Sequence, residues 1–241
     1  MRPPRSGPWI MVQRWERLLF AHWPLAAERL GPLLPRGLTL ETFEARAWLG
    51  ITPFTLSVLR PRGLPSPPGL APFPELNVRT YVRVGDRPGV FFFSLDAGSA
   101  LAVAGARAMY SLPYFWARCH AMLDGAWVIH ESRRRRAPHP ELRVRYRATG
   151  PVQLSAPGTL AHWLTERYCL YAVTRRGALW RADIDHRPWP LQPAEAEILA
   201  NTMTHPLGLD CLDGAPVLHV AEALDVRVGP PRRVGSPAPG V

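Results

Sequence analysis

The sequence predicts an α+β fold dominated by antiparallel β-strands, and three observations lead to this prediction. Segments rich in Val, Phe, Tyr and Thr recur along the chain, and the clearest of them alternates polar with apolar residues. Pairs of such segments flank short turns such as GDRPG and TRRG, which is typical of hairpins. Strands and helices do not alternate as in a chain of βαβ units, so a parallel sheet is not expected.

The first third of the chain is predicted to consist mainly of strands. ERLLFAHW is a short apolar strand that ends at Pro24, and LAAERLGPLL has leucines near helical spacing. TLETF and ARAWLGITPFTLSVL follow as strands, and Pro53 indicates an edge or a bulge because proline cannot donate to a partner strand. Residues 61–74, PRGLPSPPGLAPFP, contain six prolines and are predicted to form a long loop, a kind of segment that often serves as a lid.

The middle of the chain contains the most regular predicted strand, ELNVRTYVRV at residues 75–84. Its alternation places the apolar and threonine side chains on one face and the polar and aromatic ones on the other: Leu76, Val78, Thr80, Val82 and Val84 against Glu75, Asn77, Arg79, Tyr81 and Arg83. VFFFSLDA completes a hairpin with this strand across GDRPG, and an alanine-rich helix is expected at about residues 99–110. AWVIHESRRRR and LRVRYRATG form a second predicted hairpin around APHPE.

The last third is predicted to contain two helices and three strands. Thr159 is suited to the N-cap of a helix over residues 159–168, because its hydroxyl can accept a hydrogen bond from the first turn. LYAV and ALWRADI form a third hairpin across TRRG. QPAEAEILANTM is expected to be a helix with Pro193 in its first turn, and VLHVAEALDVRV is expected to end the fold as a strand.

The chain is predicted to form a single domain over residues 12–228. Residues 1–11 are rich in Pro, Arg and Gly, so they are expected either to be a disordered tail or to precede the true start at Met11. Residues 229–241 have the Pro and Gly content of a second unpacked tail. Since no stretch of 18 apolar residues and no secretory signal occurs, a soluble, cytoplasmic protein without a membrane partner is expected.

The composition limits which partners, disulfides, metals and cofactors are expected. All 29 basic residues are arginine and the formal net charge is +10, which raises the question of nucleic acid but also fits a GC-rich coding bias. Cys119, Cys169 and Cys211 are odd in number and far apart, which favours buried free thiols over disulfides or a zinc site. The eight histidines lack metal-binding spacing and no nucleotide or serine-hydrolase motif occurs, so no metal and no cofactor are expected.

Several motifs occur together in an order that resembles a known family. They are LLFAHWP, LLPRGLTLETFEARAWLGITPF, FPELNVRTYV, PGVFFFSLDA, LPYFWAR, LTERYCLYA and HRPWPLQPAE. The set resembles the uncharacterised bacterial YqjF-like family, a domain-of-unknown-function group placed beside acetoacetate decarboxylase, over about residues 12–228. The resemblance implies a cone-shaped antiparallel β-barrel with a few short helices and a central cavity. It brings no established reaction with it.

One reaction of the related enzymes can be argued against. Acetoacetate decarboxylases carry a Gly-aromatic-Pro-Lys-Lys run in which the first lysine forms a Schiff base and the second lowers its pKa. The similar stretch here is GARAMYSLPYFWAR, in which Pro113 matches the proline and Tyr114 and Phe115 stand at the lysine positions. A Schiff base needs a primary amine, and arginine stays protonated and is a poor nucleophile. Because the chain has no lysine, Schiff-base decarboxylation is not expected.

The residues predicted to bind a ligand are those that the barrel interpretation directs towards a cavity. They are Asn77, Arg79, Tyr81, Asp96, Arg107, Tyr114, Phe115 and Glu166. Asn77 is matched to a cavity-lining glutamate of the decarboxylases, so an amide would replace the carboxylate. Arg79 on the same strand face can hold a carboxylate through a two-pronged contact.

Other roles remain open for several of these residues. The polar face of residues 75–84 would be solvated if that strand lay at the surface. Asp96 is expected to form an ion pair with Arg79 or Arg107, with general acid catalysis as the alternative. Glu166 is expected on the helix after Trp163, where it either faces the cavity or has a surface or capping role. A tyrosine hydroxyl at position 114 could donate a hydrogen bond into the cavity, whereas Phe115 could not.

Three functions are compatible with the sequence. The first is a barrel that binds a small organic, and in particular acidic, ligand, either as a binding protein or as an enzyme with Glu166 or Asp96 in acid–base roles. The second is a nucleic-acid-associated protein that uses the basic hairpin of residues 133–147. Only Tyr146 could stack on bases there, and charged strands also protect sheet edges, so a solvated hairpin is favoured. The third is a structural or interaction protein with a filled barrel. A homo-oligomer is compatible with all three.

Overall fold

The computed structural model describes residues 8–210, 212 and 214–234, in which strands greatly outnumber helices. The strands are β1 (Met11–Leu25), β2 (Thr39–Leu40), β3 (Ala47–Pro61), β4 (Phe73–Val84), β5 (Arg87–Ala97), β6 (Tyr114–Asp124), β7 (Trp127–Arg134), β8 (Glu141–Ala148), β9 (Cys169–Val173), β10 (Leu179–His186), β11 (Gln192–Asn201), β12 (Val217–Val228) and β13 (Arg232–Arg233). The helices are α1 (Ala27–Leu30), α2 (Ala100–Tyr110) and α3 (Leu160–Thr165), with 3-10 turns at Gly31–Leu33 and His205–Leu207. The predicted fold class, mostly antiparallel β with a few short helices, is confirmed.

The strands of the described residues form one large sheet whose pairings return on themselves. The sheet order is β13-β10-β9-β5-β6-β7-β8-β11-β12-β1-β3-β4-β2, with additional pairs β4–β5 and β10–β12. Following the pairs β10–β9–β5–β4–β3–β1–β12–β10 therefore gives a closed ring of strands. The pairs that β5 makes with β6 and β9 are parallel, and every other pair in the described sheet is antiparallel.

The three predicted hairpins are present as β4–β5, β7–β8 and β9–β10. Pro53 lies in β3 opposite a register shift in β1, which occurs between Glu16 and Ala21. Arg17 in that shifted stretch has a φ of 52°, a conformation typical of a bulge. Pro53 cannot donate a hydrogen bond, and no regular pairing with β1 requires one at this point. The sequence indicated an edge or a bulge at this position.

The prediction of a helix at QPAEAEILANTM is wrong, because this segment is strand β11 and pairs with β8. Its alternation has period two: Ala194, Ala196 and Ile198 pack towards the core. The glutamates between them face Arg145 and Arg147 of β8. The helix preference of Ala and Glu is weak and is overridden by this cross-strand pairing.

Several other boundaries differ from the sequence prediction. Helix α3 ends at Thr165, three residues before the expected end, and LAAERLGPLL forms only one helical turn and a 3-10 turn. TLETF contributes only the two residues of β2. Strand β6, which begins at Tyr114, was not predicted, because the proline and bulky aromatics at its start obscure any alternation.

The described residues of both predicted tails lie next to the domain and make ordered contacts with it. The amide of Ile10 donates to the carbonyl oxygen of Val228, and the guanidinium of Arg62 lies 4.8 Å from the ring centre of Trp9. The amide of Gly229 donates to the carbonyl oxygen of Asp183, and β13 pairs with β10. The remainder of both predicted tails lies outside the described residues.

The layer formed by β1, β3 and β4 is buried on both faces. Alternate side chains such as Leu19, Leu49 and Val78 pack against Leu142, Val144 and Tyr146 of β8. The intervening side chains, including Leu18, Phe54 and Phe73, point to the interior of the strand ring. Burial on both sides explains why β3 reads as a nearly continuous apolar run. None of the helices in the described residues is long and apolar enough to cross a membrane.

Candidate ligand-binding cavity

The interior of the strand ring contains a cavity of about 390 Å³, a size within the range of small-molecule sites. Its wall comes from all seven strands of the ring, from helix α2 and from residues after α3 and β10. The interior is therefore not filled by the protein's own side chains, and the filled-barrel alternative is not supported. Phe93 packs outside this cavity.

Strand β4 supplies the polar part of the wall. Glu75, Asn77 and Arg79 line the cavity, as does Phe73 at the start of the strand. Leu76 and Val78 lie on the opposite face, in the apolar core. Three members of the predicted polar face, Glu75, Asn77 and Arg79, are thus directed into the ring, whereas Arg83 near the end of the strand is exposed. At about 3.3 Å per residue, the cavity-facing positions from Phe73 to Arg79 span about 20 Å.

Glu75 is the carboxylate that β4 brings to the cavity, two residues before Asn77. It is 3 % exposed, and its Oε1 accepts a 3.0 Å hydrogen bond from the hydroxyl of Tyr114. Its Oε2 has no partner among the described residues. Burial raises the pKa of Glu75 to about 8, the nearby charge of Asp96 adds to this, and the hydrogen bond from Tyr114 opposes it. Glu75 is therefore largely protonated at neutral pH.

Tyr114 keeps its proton in this environment. Burial and the adjacent Glu75 raise the pKa of the Tyr114 hydroxyl well above its usual value. Tyr114 lines the cavity, and its neutral hydroxyl is engaged in the hydrogen bond to Glu75. Asn77 lines the cavity beside it, and its Oδ1 accepts a hydrogen bond from the hydroxyl of Thr52 on β3.

Two guanidinium groups lie at the Arg79 end of the cavity. The guanidinium carbons of Arg79 and Arg167 lie 5.9 Å and 5.1 Å from the centre of the Tyr81 ring. The Arg79 Nε has no hydrogen-bond partner, and no carboxylate of the described residues lies within ion-pair distance of this side chain. Arg167 forms an ion pair with Glu41 through Nη1 and donates from Nε to the carbonyl oxygen of Trp163 at 2.7 Å. Its buried Nη2 has no partner.

Tyr81 supports these arginines from behind and does not line the cavity. It is fully buried, and its hydroxyl lies 2.6 Å from Nε2 of His22. Gly50 makes room for this arrangement, because a Cβ atom there would lie 3.0 Å from the His22 ring and 3.2 Å from Cγ of Arg79. Burial and the charge of Arg79 lower the pKa of His22 well below its usual value, so the ring is neutral.

Asp96 does not face the cavity and pairs with neither Arg79 nor Arg107. Both of its oxygens accept hydrogen bonds from Arg134, at 2.7 Å and 3.0 Å, in a pair that is almost completely buried. The guanidinium of Arg134 lies 3.6 Å from the centre of the Phe115 ring. The expected ion pair exists, but its partner comes from β7, because Asp96 and the cavity-facing Leu95 lie on opposite faces of β5.

Arg107, Phe115 and Glu166 also lie outside the cavity wall. Arg107 is exposed and donates from Nε to the carbonyl oxygen of Tyr114 at 2.7 Å, which ties α2 to β6. Phe115 faces away from Tyr114 because successive strand residues alternate. Glu166 follows the last residue of α3 and accepts hydrogen bonds from the amide of Trp189 at 2.9 Å and from the hydroxyl of Tyr168.

Arg167 is the principal cavity residue that the sequence analysis did not select. A helix that continued through LTERY would bring Glu166 to the cavity, which is why Glu166 was selected from the sequence. Because α3 ends at Thr165, the chain direction changes and Arg167 is the residue that lines the cavity. Glu75 was recognised only as a member of the polar face of β4.

Three of the seven arginines in the basic hairpin of residues 133–147 pair with carboxylates, and the other four are exposed. Arg145 and Arg147 form ion pairs with Glu197 and Glu195 of β11, and both lie over the ring of Trp127. Arg134 is buried with Asp96. These contacts give no support to the nucleic-acid alternative.

Burial favours the protonated form of the two thiols that the structure describes. Cys119 lies 3.3 Å from the hydroxyl of Ser132, and burial raises its pKa to about 12. Burial also raises the pKa of Cys169. Cys211 lies outside the described residues. Within residues 8–210, 212 and 214–234, no three His, Cys, Asp or Glu side chains are placed to hold a metal ion.

Two enzymes of known structure have a fold similar to that of this chain. The chain matches the enduracididine biosynthesis enzyme MppR complexed with pyruvate with a TM-score of 0.67 and 10% identity, covering 97% of this chain and 93% of that one. Acetoacetate decarboxylase from Legionella pneumophila subsp. pneumophila str. Philadelphia 1 matches with a TM-score of 0.66 and 14% identity, covering 98% and 92%. At these identities the likeness shows the fold alone, which is that of acetoacetate decarboxylase.

Closer relatives are found at the level of sequence. The chain is 44% identical over 228 residues to the uncharacterized protein YqjF of Bacillus subtilis (strain 168), covering 95% of this chain and 94% of that protein. Residues 12–225 match the model of the family DUF2071, described as an uncharacterized conserved protein. The chain therefore belongs to the DUF2071 family of YqjF-like proteins, on an acetoacetate decarboxylase-like fold.

Proposed function

We propose that this protein binds a small organic acid in the cavity without forming a covalent bond to it. The observation that carries the proposal concerns Arg79 and Arg167, which line the cavity and each have a buried guanidinium donor, Nε and Nη2 respectively, without a partner among the described residues. Buried donors on charged groups are costly to leave unpaired. A carboxylate placed between them would satisfy both and offset the charge of Arg79.

The other titratable groups of the wall are compatible with a bound anion. Burial lowers the pKa of His186, so its ring is neutral near pH 7 and adds no charge of its own. The protonated carboxyl of Glu75 can donate a hydrogen bond from an oxygen that has no partner in the described protein. Glu75 is also the best-placed proton donor if the bound acid reacts, whereas Asp96 and Glu166 are engaged elsewhere.

A protein of similar fold supports the choice of an acidic ligand. The composition of this chain excludes a lysine Schiff base with that ligand. MppR has been crystallised with pyruvate, a small carboxylate, and it shares the fold of this chain. No lysine occurs in the 241 residues, so the amine needed for imine formation is absent from every cavity position. Binding of an acid through hydrogen bonds and ion pairing needs no such amine.

The proposal is tested by calorimetric titration of the protein with pyruvate, acetoacetate, butanoate and hexanoate at pH 7. Replacing Arg79 by Gln removes a charge-assisted contact worth about 1.5–3 kcal/mol, so Kd should rise about 10- to 100-fold. The matched control is Arg83→Gln on the same strand, where the side chain is exposed. Equal affinity of Arg79→Gln and the wild type, or an equal loss in Arg83→Gln, would contradict the proposal.

A further inference from the structure

We infer that the ligand is a monocarboxylate with an unbranched apolar tail, bound with its carboxylate at the Arg79–Arg167 end and its tail running towards helix α2. This inference rests on the proposed function and names the ligand class. It follows from the length of the cavity, from the distribution of polar groups along it and from the nature of its opening.

The two ends of the cavity are defined by the pairing of β4. Arg79 lies at one end, and Phe73, six residues earlier, lies about 20 Å away along the strand. Phe73 pairs with Leu56 of β3, and β3 continues past it to Pro61, which pairs with Met11 of β1. An elongated molecule would therefore have its two ends in different surroundings.

Helix α2 crosses the Phe73 end of the ring. It begins just after β5, whose last residue, Ala97, pairs with Glu75. It ends at Tyr110, whose hydroxyl donates to the carbonyl oxygen of Gly229, beyond the end of β12. The helix thus spans the ring on the side opposite to Arg79.

The wall is polar at one end and apolar at the other. Among the described lining residues, the ionisable groups other than tyrosine hydroxyls are Glu75, Arg79, Arg167 and His186. From Phe73 outwards the wall is almost entirely apolar: Met11, Leu59, Leu70, Leu101, Met109 and Leu112. Gln13 is the polar exception there, and its Oε1 already accepts a hydrogen bond from the indole of Trp15 at 2.8 Å.

The opening beside α2 has an apolar rim. Leu101 and Met109 line the cavity although they are 68% and 52% exposed. Two such side chains eight residues apart lie on the same side of a helix, and here they flank the small residues Gly105 and Ala106. Apart from the adjacent residues and the backbone of the helix itself, no described atom lies within 4 Å of the position that a Cβ of Gly105 would take. This gap gives an apolar chain a route between the helix and the loop that contains Leu70.

A second charged group on the ligand would be poorly accommodated. An ω-carboxylate at the α2 end would face apolar side chains and no cation of the described wall. Two residues from Phe73 along β4 it would meet the buried carboxyl of Glu75, which already favours its neutral form. The cavity therefore discriminates against dicarboxylates of the same length.

The test is a calorimetric series with the sodium salts of butanoate, hexanoate, decanoate and tetradecanoate at pH 7. Burying each methylene should lower Kd about fourfold until the tail reaches the opening. Tetradecanedioate and tetradecanol should each bind at least about tenfold more weakly than tetradecanoate, because one adds a charge to the tail and the other lacks the carboxylate. Gly105→Phe should raise the Kd of tetradecanoate about tenfold or more and leave that of butanoate unchanged, because only the longer tail reaches α2.

Ala108→Phe is the matched control, since Ala108 is exposed on the same helix and does not line the cavity. It should bind every acid like the wild type. If butanoate binds in an Arg79-dependent way but Kd does not change with chain length, the proposed function stands and the inference about the tail is wrong. If Gly105→Phe and Ala108→Phe behave alike with tetradecanoate, the tail does not pass α2. If no acid binds, both proposals fail.

Discussion

The hydroxyl of Tyr114 donates a 3.0 Å hydrogen bond to the buried carboxyl group of Glu75, and this contact joins β6 to β4 inside the cavity. Tyr114 stands at the first position of the stretch that resembles the lysine run of the decarboxylases. The hydroxyl and the carboxyl are both neutral near pH 7, because burial raises both pKa values. At this point the wall offers hydrogen bonds and a transferable proton, and it offers no nucleophilic amine.

Glu75→Gln is expected to reduce the pH dependence of the free energy of unfolding between about pH 5 and about pH 8. In the folded protein the pKa of Glu75 is about 8, and its ordinary value is 4.5, so the folded state holds the proton more tightly. The free energy of unfolding therefore decreases as the pH rises from about 5 to about 8, by about 3 to 4 kcal/mol from this group. Urea unfolding at a series of pH values should show that the variant loses this decrease.

Glu222→Gln is the control for this measurement, because Glu222 is exposed on β12. Its stability should follow the wild-type pH dependence. Parallel curves for Glu75→Gln and the wild type would show that Glu75 ionises as freely in the folded protein as in the unfolded chain.

Tyr114→Phe is expected to lower the free energy of unfolding by about 1 kcal/mol at pH 6, the usual net value of a buried hydrogen bond. The hydrogen bond from Tyr114 favours the ionised form of Glu75. The loss should therefore be larger at pH 9 than at pH 6, and thermal or urea unfolding at both values measures it. A loss that is equal at the two pH values would mean that the hydroxyl does not interact with the titrating carboxyl group.

Asp96→Asn is expected to destabilise the protein by about 3–5 kcal/mol, because it leaves the guanidinium of Arg134 without a counter-charge in the protein interior. Asp96 is 0% and Arg134 7% exposed at the side chain. The control is Glu197→Gln, which breaks the exposed pair with Arg145 and should cost less than about 1 kcal/mol. Similar losses in the two variants, measured by urea unfolding, would contradict the buried geometry.

His130→Leu is expected to reduce the loss of stability in acid. Both ring nitrogens of His130 lack partners, and burial lowers its pKa to about 3. The unfolded chain binds the proton near pH 6.5, so stability falls as the pH drops from there towards 3, by about 2 kcal/mol between pH 7 and pH 5. Chemical unfolding at pH 7 and pH 5 gives this difference. The variant should lose about 2 kcal/mol less than the wild type, and His120→Ala, at an exposed position, should lose as much as the wild type.

The parts of the fold that sequence reasoning predicted are those with strong local patterns. The alternation in residues 75–84 predicted β4 and the face it directs inward, and the turn residues predicted three hairpins. Strand β11 was predicted as a helix because Ala and Glu favour helices locally, whereas the arginines of β8 that stabilise it as a strand lie about 50 residues away. Long-range pairing of this kind is not encoded in the segment itself.

The cavity was predicted less completely than the fold. Of the eight residues selected, Asn77, Arg79 and Tyr114 line it, and Tyr81 lies directly behind Arg79. Asp96 and Phe115 were placed one residue out of phase on their strands, so they face Arg134 on the other side of the sheet. Arg167 was missed because its position depends on where α3 ends. Each error concerns the face of the strand or helix from which a side chain projects. A shift of one residue in a boundary or in the register changes that face.

The most direct test of the proposed binding mode is the position of a bound acid in a crystal of the protein grown with 12-bromododecanoate. Anomalous scattering locates the bromine, and the electron density locates the carboxylate. The account predicts a carboxylate about 3 Å from Arg79 Nε and Arg167 Nη2, with the bromine beside Met109 of α2. A bromine at the Arg79 end, or an acid bound only outside the strand ring, would contradict it.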